Sequence, residues 1–164
     1  MEPWRMHDPK SVLHYLTHRN KAFVTDIATR NATPFLHRSL YRNYTPPCIA
    51  SLFSTAVLYA NRTPDNTTMV IRALSNVVKE LIENESGRMV ATPIDRLARC
   101  QAMYIYFIIR VLDGDVILRA QGERDIPLLM DWLLDLAKVR ENMGDLAQLG
   151  NSVMKQPPAE WEVS

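Results

Sequence analysis

The chain has 164 residues, enough at about 150 residues per domain for one domain that buries roughly two thirds of its unfolded surface. Hydrophobic residues make up 47% and charged residues 23%, a globular balance that excludes a disordered tail or a fibre for most of the length. Lys plus Arg is 19 and Asp plus Glu is 18, so a net charge of +1 supplies no global field for a nucleic acid or a membrane surface.

The N-terminal region from Ser11 to about Arg30 reads as a weak helix carrying Val12, Leu13, Leu16, Phe23, Val24 and Ile27, and Pro34 to Arg42 as a short one. After Pro46-Pro47, Ile49, Leu52, Phe53, Ala56, Val57 and Ala60 recur at steps of three and four, the stripe of an amphipathic helix. Thr63-Pro64-Asp65 opens the next, with a cap residue, a first-turn proline and an acid at the positive end; Val70, Ala73, Leu74, Val77, Val78, Leu81 and Ile82 line it and Gly87 ends it. Thr92 and Asp95 form an approximate capping box for a helix running to about Leu112. Ala102 to Ile109 is apolar on every face, so the other helices should surround this one, with the Tyr104 and Tyr106 hydroxyls reaching a partner or solvent at its rim.

Beyond Asp113-Gly114-Asp115, Val116 to Gln121 reads as a short helical piece closed by Gly122. Asp125 caps a final helix whose inner stripe is Ile126, Leu129, Met130, Leu133, Leu136 and Ala137, with Pro127 tolerated in the first turn. The expected fold is all-α, a multi-helix bundle around the buried helix at about residues 93–112. It divides into a weakly helical arm over 1–32, a helical regulatory-type domain over 33–155 and a loose tail over 156–164.

The first residues carry no signal peptide, so the five Asn-x-Ser/Thr sequons at Asn31, Asn43, Asn61, Asn66 and Asn84 read as products of turn and cap composition. No apolar run approaches the roughly 20 residues that a membrane-spanning helix needs. Residues 1–62 hold eight Lys/Arg and three Asp/Glu, residues 63–164 eleven and fifteen, giving +5 and −4. The basic residues are scattered, which fits mutual attraction of the halves better than a nucleic-acid arm.

Catalytic vocabulary is sparse. Cys48 and Cys100 are too few for a four-thiolate zinc site or a disulfide framework and read as free thiols. His14 and His18 stand at i and i+4, the spacing of helical zinc sites, but the glutamate of His-Glu-x-x-His and a third ligand are missing. Asp113, Asp115, Glu123 and Asp125 form the densest acidic group, which fits either paired-carboxylate chemistry or helix capping, and calcium-loop spacing is not met. Arg96, Arg99, Arg110 and Arg119 bracket that turn and are expected to pair with it. No phosphate loop or nucleophile elbow is present, so no catalytic, cofactor-binding or metal residue is nominated and no cofactor is expected.

Phe35-Leu36-His37-Arg38-Ser39-Leu40-Tyr41, Leu58-Tyr59-Ala60-Asn61-Arg62-Thr63-Pro64, Thr92-Pro93-Ile94-Asp95-Arg96-Leu97-Ala98-Arg99-Cys100-Gln101-Ala102, Asp113-Gly114-Asp115 and Arg119-Ala120-Gln121-Gly122-Glu123-Arg124-Asp125-Ile126-Pro127-Leu128-Leu129 with Trp132 follow in order. Together they resemble the middle, regulatory region of fungal binuclear zinc-cluster transcription factors, over about residues 33–162. Members of that family carry an N-terminal six-cysteine cluster that holds two zinc ions and contacts DNA, and the two cysteines here match no part of it. The resemblance therefore implies a truncated, non-enzymatic, transcription-regulator-like protein in the nucleus, otherwise the cytoplasm. It implies control of a secondary-metabolite biosynthetic gene cluster through contact with itself or with a full-length regulator, without direct DNA binding or membrane attachment. The rival reading is a small helical pathway enzyme or ligand-binding accessory protein with a polar site around Asp113, Asp115 and Arg119.

Overall fold

Capping residues and prolines cut the chain into helices where their chemistry requires it. The computed structural model describes residues 12–34, 36–37, 39–88 and 91–154, of which 13, 16, 17, 21 and 145–154 are described for their backbone alone. The helices are α1 (Val12–Arg30), α2 (Pro47–Ala60), α3 (Thr67–Ser86), α4 (Pro93–Leu112), α5 (Val116–Arg124) and α6 (Ile126–Met154). Among the described residues the only β-type pairing is an isolated bridge between Thr33 and Leu36, so the fold is all-α. The expected 156–164 tail lies outside the described residues.

α4 is the helix the others surround. Its capping box is complete: the Thr92 hydroxyl accepts from the Asp95 N–H at 3.2 Å, and the Asp95 carboxylate accepts from the Thr92 N–H at 3.2 Å. With its end fixed, α4 packs against each of the other helices. Ala98, Cys100, Ala102, Met103, Ile105, Tyr106, Ile108 and Ile109 are all buried there, joined by Phe23, Val24 and Ile27 of α1, Leu52 and Ala56 of α2, and Leu74 and Val78 of α3. Burial on nearly every side explains why apolar residues of this helix follow no single stripe.

Two glycines set the α4–α5 hairpin. Gly114 has φ of +100°, a conformation rarely open to residues with a Cβ, and it reverses the chain between Asp113 and Asp115. Gly122 lets α5 approach α4, since a Cβ there would meet Val111 Cγ2 at 3.1 Å and Arg110 Cβ at 3.4 Å. It lies inside α5 and does not end it, because the helix runs on to Arg124.

Several expectations need correction. Pro34–Arg42 forms no helix among its described residues: Thr33 N–H donates to the Leu36 carbonyl at 2.8 Å and the Leu36 N–H returns to Thr33 at 3.2 Å, closing a tight turn that buries Leu36. α3 starts at Thr67, since Thr63 and Asn66 exchange hydrogen bonds in the turn that precedes it. The α6 stripe is rotated: Leu129 and Trp132 are buried and Leu128 and Leu136 pack on the core, while Ile126, Met130 and Leu133 stand exposed. Tyr106 does not reach the rim but is 1% exposed. The sequons fall largely on chain punctuation, with Asn31 at φ +50° after α1, Asn61 ending α2 and Asn66 opening α3, whereas Asn84 lies within α3.

Candidate functional site

The acidic group that the sequence singles out does not converge on one point. Asp113 closes α4 and accepts hydrogen bonds from the Tyr59 hydroxyl at 2.5 Å and from the Arg62 guanidinium, which also stacks on the Tyr59 ring at 4.9 Å. Asp115 caps α5 by accepting from the Leu118 N–H at 2.8 Å. Arg119 pairs with Glu123 on the exposed side of α5 at 2.8 Å. Asp125 accepts from Arg110 at 2.7 Å and so holds α4 to the α5–α6 junction; its side chain does not cap α6. Each carboxylate is thus engaged in structure, and the expected Asp113/Asp115/Arg119 corner is split between a half-buried triad, a helix cap and a surface pair.

Arg96 and Arg99 do not bracket that turn either. Both donate to Asp135 of α6 at 2.5 Å. Arg99 also reaches Glu85 at 3.5 Å and lies over the Trp132 ring at 5.0 Å. Arg88 continues the chain of charges, bonding Glu85 at 3.0 Å and Asp95 at 3.2 Å. Asp95 additionally accepts from Tyr44 at 3.1 Å. Burial pushes the Asp95 carboxyl up, but the Thr92 hydrogen bonds, the Tyr44 hydroxyl and Arg88 outweigh it and hold the group below the usual carboxylate range. Three arginines and three carboxylates therefore tie the end of α3, the start of α4 and the middle of α6 into one neutral network.

Next to this network lies a cavity of about 290 Å³ between α2, α3 and α4. Pro47, Val77, Leu81 and Tyr106 give it apolar walls; Cys48, Ser51, Glu85 and Arg88 are among its polar lining. The Tyr106 hydroxyl is sealed from solvent without a hydrogen bond. Thr55 is its polar neighbour: the Thr55 hydroxyl donates to the Ser51 carbonyl at 2.8 Å and keeps its acceptor lone pairs toward the phenol. Burial raises the Tyr106 phenol well above its ordinary value. Burial first, then Glu85, pushes the Cys48 thiol up to about 11, so it stays protonated at neutral pH and packs as a small apolar group.

Two further cavities differ in character. One of about 390 Å³, between the start of α4 and α6, is nearly all apolar and includes Ile94, Leu97, Leu136 and Met143. The other, about 340 Å³, adjoins Arg110, Arg124 and Asp125. Among the described residues no three His, Cys, Asp or Glu side chains group to hold a metal ion, and His14 and His18 share α1 without a third ligand. Cys48 and Cys100 are free thiols.

Sequence reasoning missed the Arg88–Glu85–Arg99–Asp135 chain and the Tyr106 cavity. The available signals were Arg99 and Arg110, charges that flank the all-round apolar segment Ala102 to Ile109, and the small residues Cys48, Ser51 and Thr55 on one side of α2. The stretch Thr92 to Ala102 contributes Asp95, Arg96 and Arg99 to the network, so the residues that carry the family resemblance are also those that bind the helices together.

Over 104 residues the chain is 38% identical to the transcription factor gsfR2 of Penicillium aethiopicum, covering 63% of this chain and 25% of that protein. No family's sequence pattern matches the chain, and no solved structure matches it. The chain thus spans about a quarter of the length of the curated relative it matches and is similar to part of a fungal transcription factor.

Proposed function

We propose that this chain is a non-enzymatic, transcription-regulator-like helical module that acts in the nucleus through protein contacts. The observation that carries the reading is the 38% identity to a fungal transcription factor across 63% of the chain. The regulatory-type unit is residues 33–155, with 1–32 as an arm and 156–164 as a tail. Its partner is a second copy or a full-length regulator, and its output is expression of a biosynthetic gene cluster.

The engagement of Asp113, Asp115 and Arg119 in structural bonds supports this reading over the pathway enzyme. So does an apolar stripe on α6, where Ile126, Met130, Leu133 and Leu134 remain exposed and offer a surface for another helix. Deleting the coding sequence and quantifying the transcripts of its chromosomal neighbours tests the function. Coordinated loss of several transcripts is expected; unchanged transcripts with one accumulated intermediate would establish the enzyme instead. Replacing Met130 and Leu133 together by Glu should reduce the molecular mass in light scattering, or abolish co-purification with the regulator, at unchanged helical content.

A further inference from the structure

We propose that α6 pairs with the α6 of a second copy of this chain, antiparallel, about a two-fold axis that passes beside Leu134. The proposal rests on the reading of this helix as a protein-contact surface and names its occupant. Ile126, Met130, Leu133 and Ala137 recur at steps of four, three and four, so they form one stripe along α6, with Leu134 beside it. Ile126, Met130, Leu133 and Leu134 are between 39% and 58% exposed, on a flank distinct from Leu129 and Trp132, which face the core.

Charge selects the occupant. Asp131 and Lys138 are both exposed, and among the described residues neither has an ion pair. Seven residues are nearly two turns, so the two side chains stand on one edge of the stripe, about 10 Å apart along the helix. In an antiparallel two-fold pair each edge lies against the same edge of the other helix, running the opposite way. Asp131 then faces the partner's Lys138, and Lys138 faces the partner's Asp131, so a single symmetric register makes two ion pairs. A parallel pair sets each of these charges against its own copy, which repels.

The same register suits the apolar residues. Leu134 meets its own copy beside the axis, and Met130 falls between the partner's Ala137 and the partner's Glu141, a long side chain over a small one. Burial of the stripe supplies the affinity, while the exposed ion pairs set direction and register.

Sedimentation equilibrium of the purified full chain at micromolar concentration is expected to give twice the 18.8 kDa of one chain. Asp131→Lys should weaken the dimer about ten- to fiftyfold, because two attractions become two repulsions, and Lys138→Asp should do the same. Both changes in one chain, Asp131→Lys with Lys138→Asp, should restore the original affinity, with equal helical content by circular dichroism throughout. A chain that stays monomeric, a dimer indifferent to Asp131→Lys, or a double variant no tighter than the single ones overturns the proposal. A monomer whose deletion still silences the neighbouring transcripts overturns the pairing and leaves the regulatory reading in place; a dimer that responds as described, with transcripts unchanged by deletion, supports the pairing and removes that reading.

Discussion

Arg99 and Arg110 lie about three turns apart on nearly the same face of α4, yet they are buried in different ways. Arg99 keeps 10% of its side chain exposed and is shared by Glu85, Asp135 and the Trp132 ring. Arg110 keeps 2%, and its bonds go to one carboxylate, Asp125, and one backbone carbonyl, that of Tyr106; each arginine also has one buried nitrogen without a bond, Nε of Arg99 and Nη2 of Arg110. A distributed charge loses little when one partner is removed, whereas a sealed charge with a single counterion is left uncompensated in low dielectric. The Arg99 pairs should therefore tolerate substitution and the Arg110–Asp125 pair should not.

The largest expected effect comes from breaking the sealed pair. Asp125→Ala should lower unfolding stability by about 3–5 kcal/mol in equilibrium urea denaturation. Replacing both partners, Arg110→Met with Asp125→Leu, should recover most of that loss, because neither charge then remains unpaired. A smaller loss from the single variant would show that water reaches Arg110. Asp135→Ala is the matching cut at the other end. It should cost about 1 kcal/mol, since Asp135 is one third exposed and Glu85 still answers Arg99.

Gly122→Ala sharpens the comparison sterically. The added Cβ crowds Val111 and the Cβ of Arg110, an overpacking cost of about 1–3 kcal/mol offset by about 1 kcal/mol of helix propensity. A net loss near 1 kcal/mol is expected by the same measurement; a gain would show that α5 can move away from α4.

The smallest effect depends on pH. The carboxyl of Asp95 is held below its unfolded value of about 3.9, so it contributes stability that is complete above that pH and is lost as pH falls through the lower folded value. Asp95→Asn should accordingly lower the urea midpoint at pH 7, and the difference from the unsubstituted chain should shrink steadily below about pH 4. A difference that is independent of pH would assign the loss to the capping box alone.

The parts of this fold that were legible from sequence are those governed by local rules. Thr92 and Asp95 announce a capping box because both partners lie within one turn, and α4 announces its central position because no face of Ala102 to Ile109 is polar. Pro34 to Arg42 misleads because Leu36 and Leu40 stand four residues apart, one helical turn, yet Leu36 is buried from a turn that Thr33 closes. The expected α6 stripe is rotated to one flank because Ile126, Met130 and Leu133 are as apolar as Leu129, Trp132 and Leu136, and periodicity alone does not say where along a broad apolar face the core begins. The ion pairs were out of reach for another reason. Arg62 with Asp113, and Arg99 with Asp135, join residues distant in sequence and take their partners from how the helices cross.

Burial has an optical consequence. Tyr41, Tyr59 and Tyr106 all have phenols raised well above the ordinary value, in each case chiefly by burial, while Tyr15 and Tyr44 stand exposed. In an alkaline titration followed at the phenolate absorbance band, these three rings should therefore ionise only as the helices come apart. Their rise marks global unfolding without any added label, a built-in ultraviolet gauge of whether the core around α4 is intact.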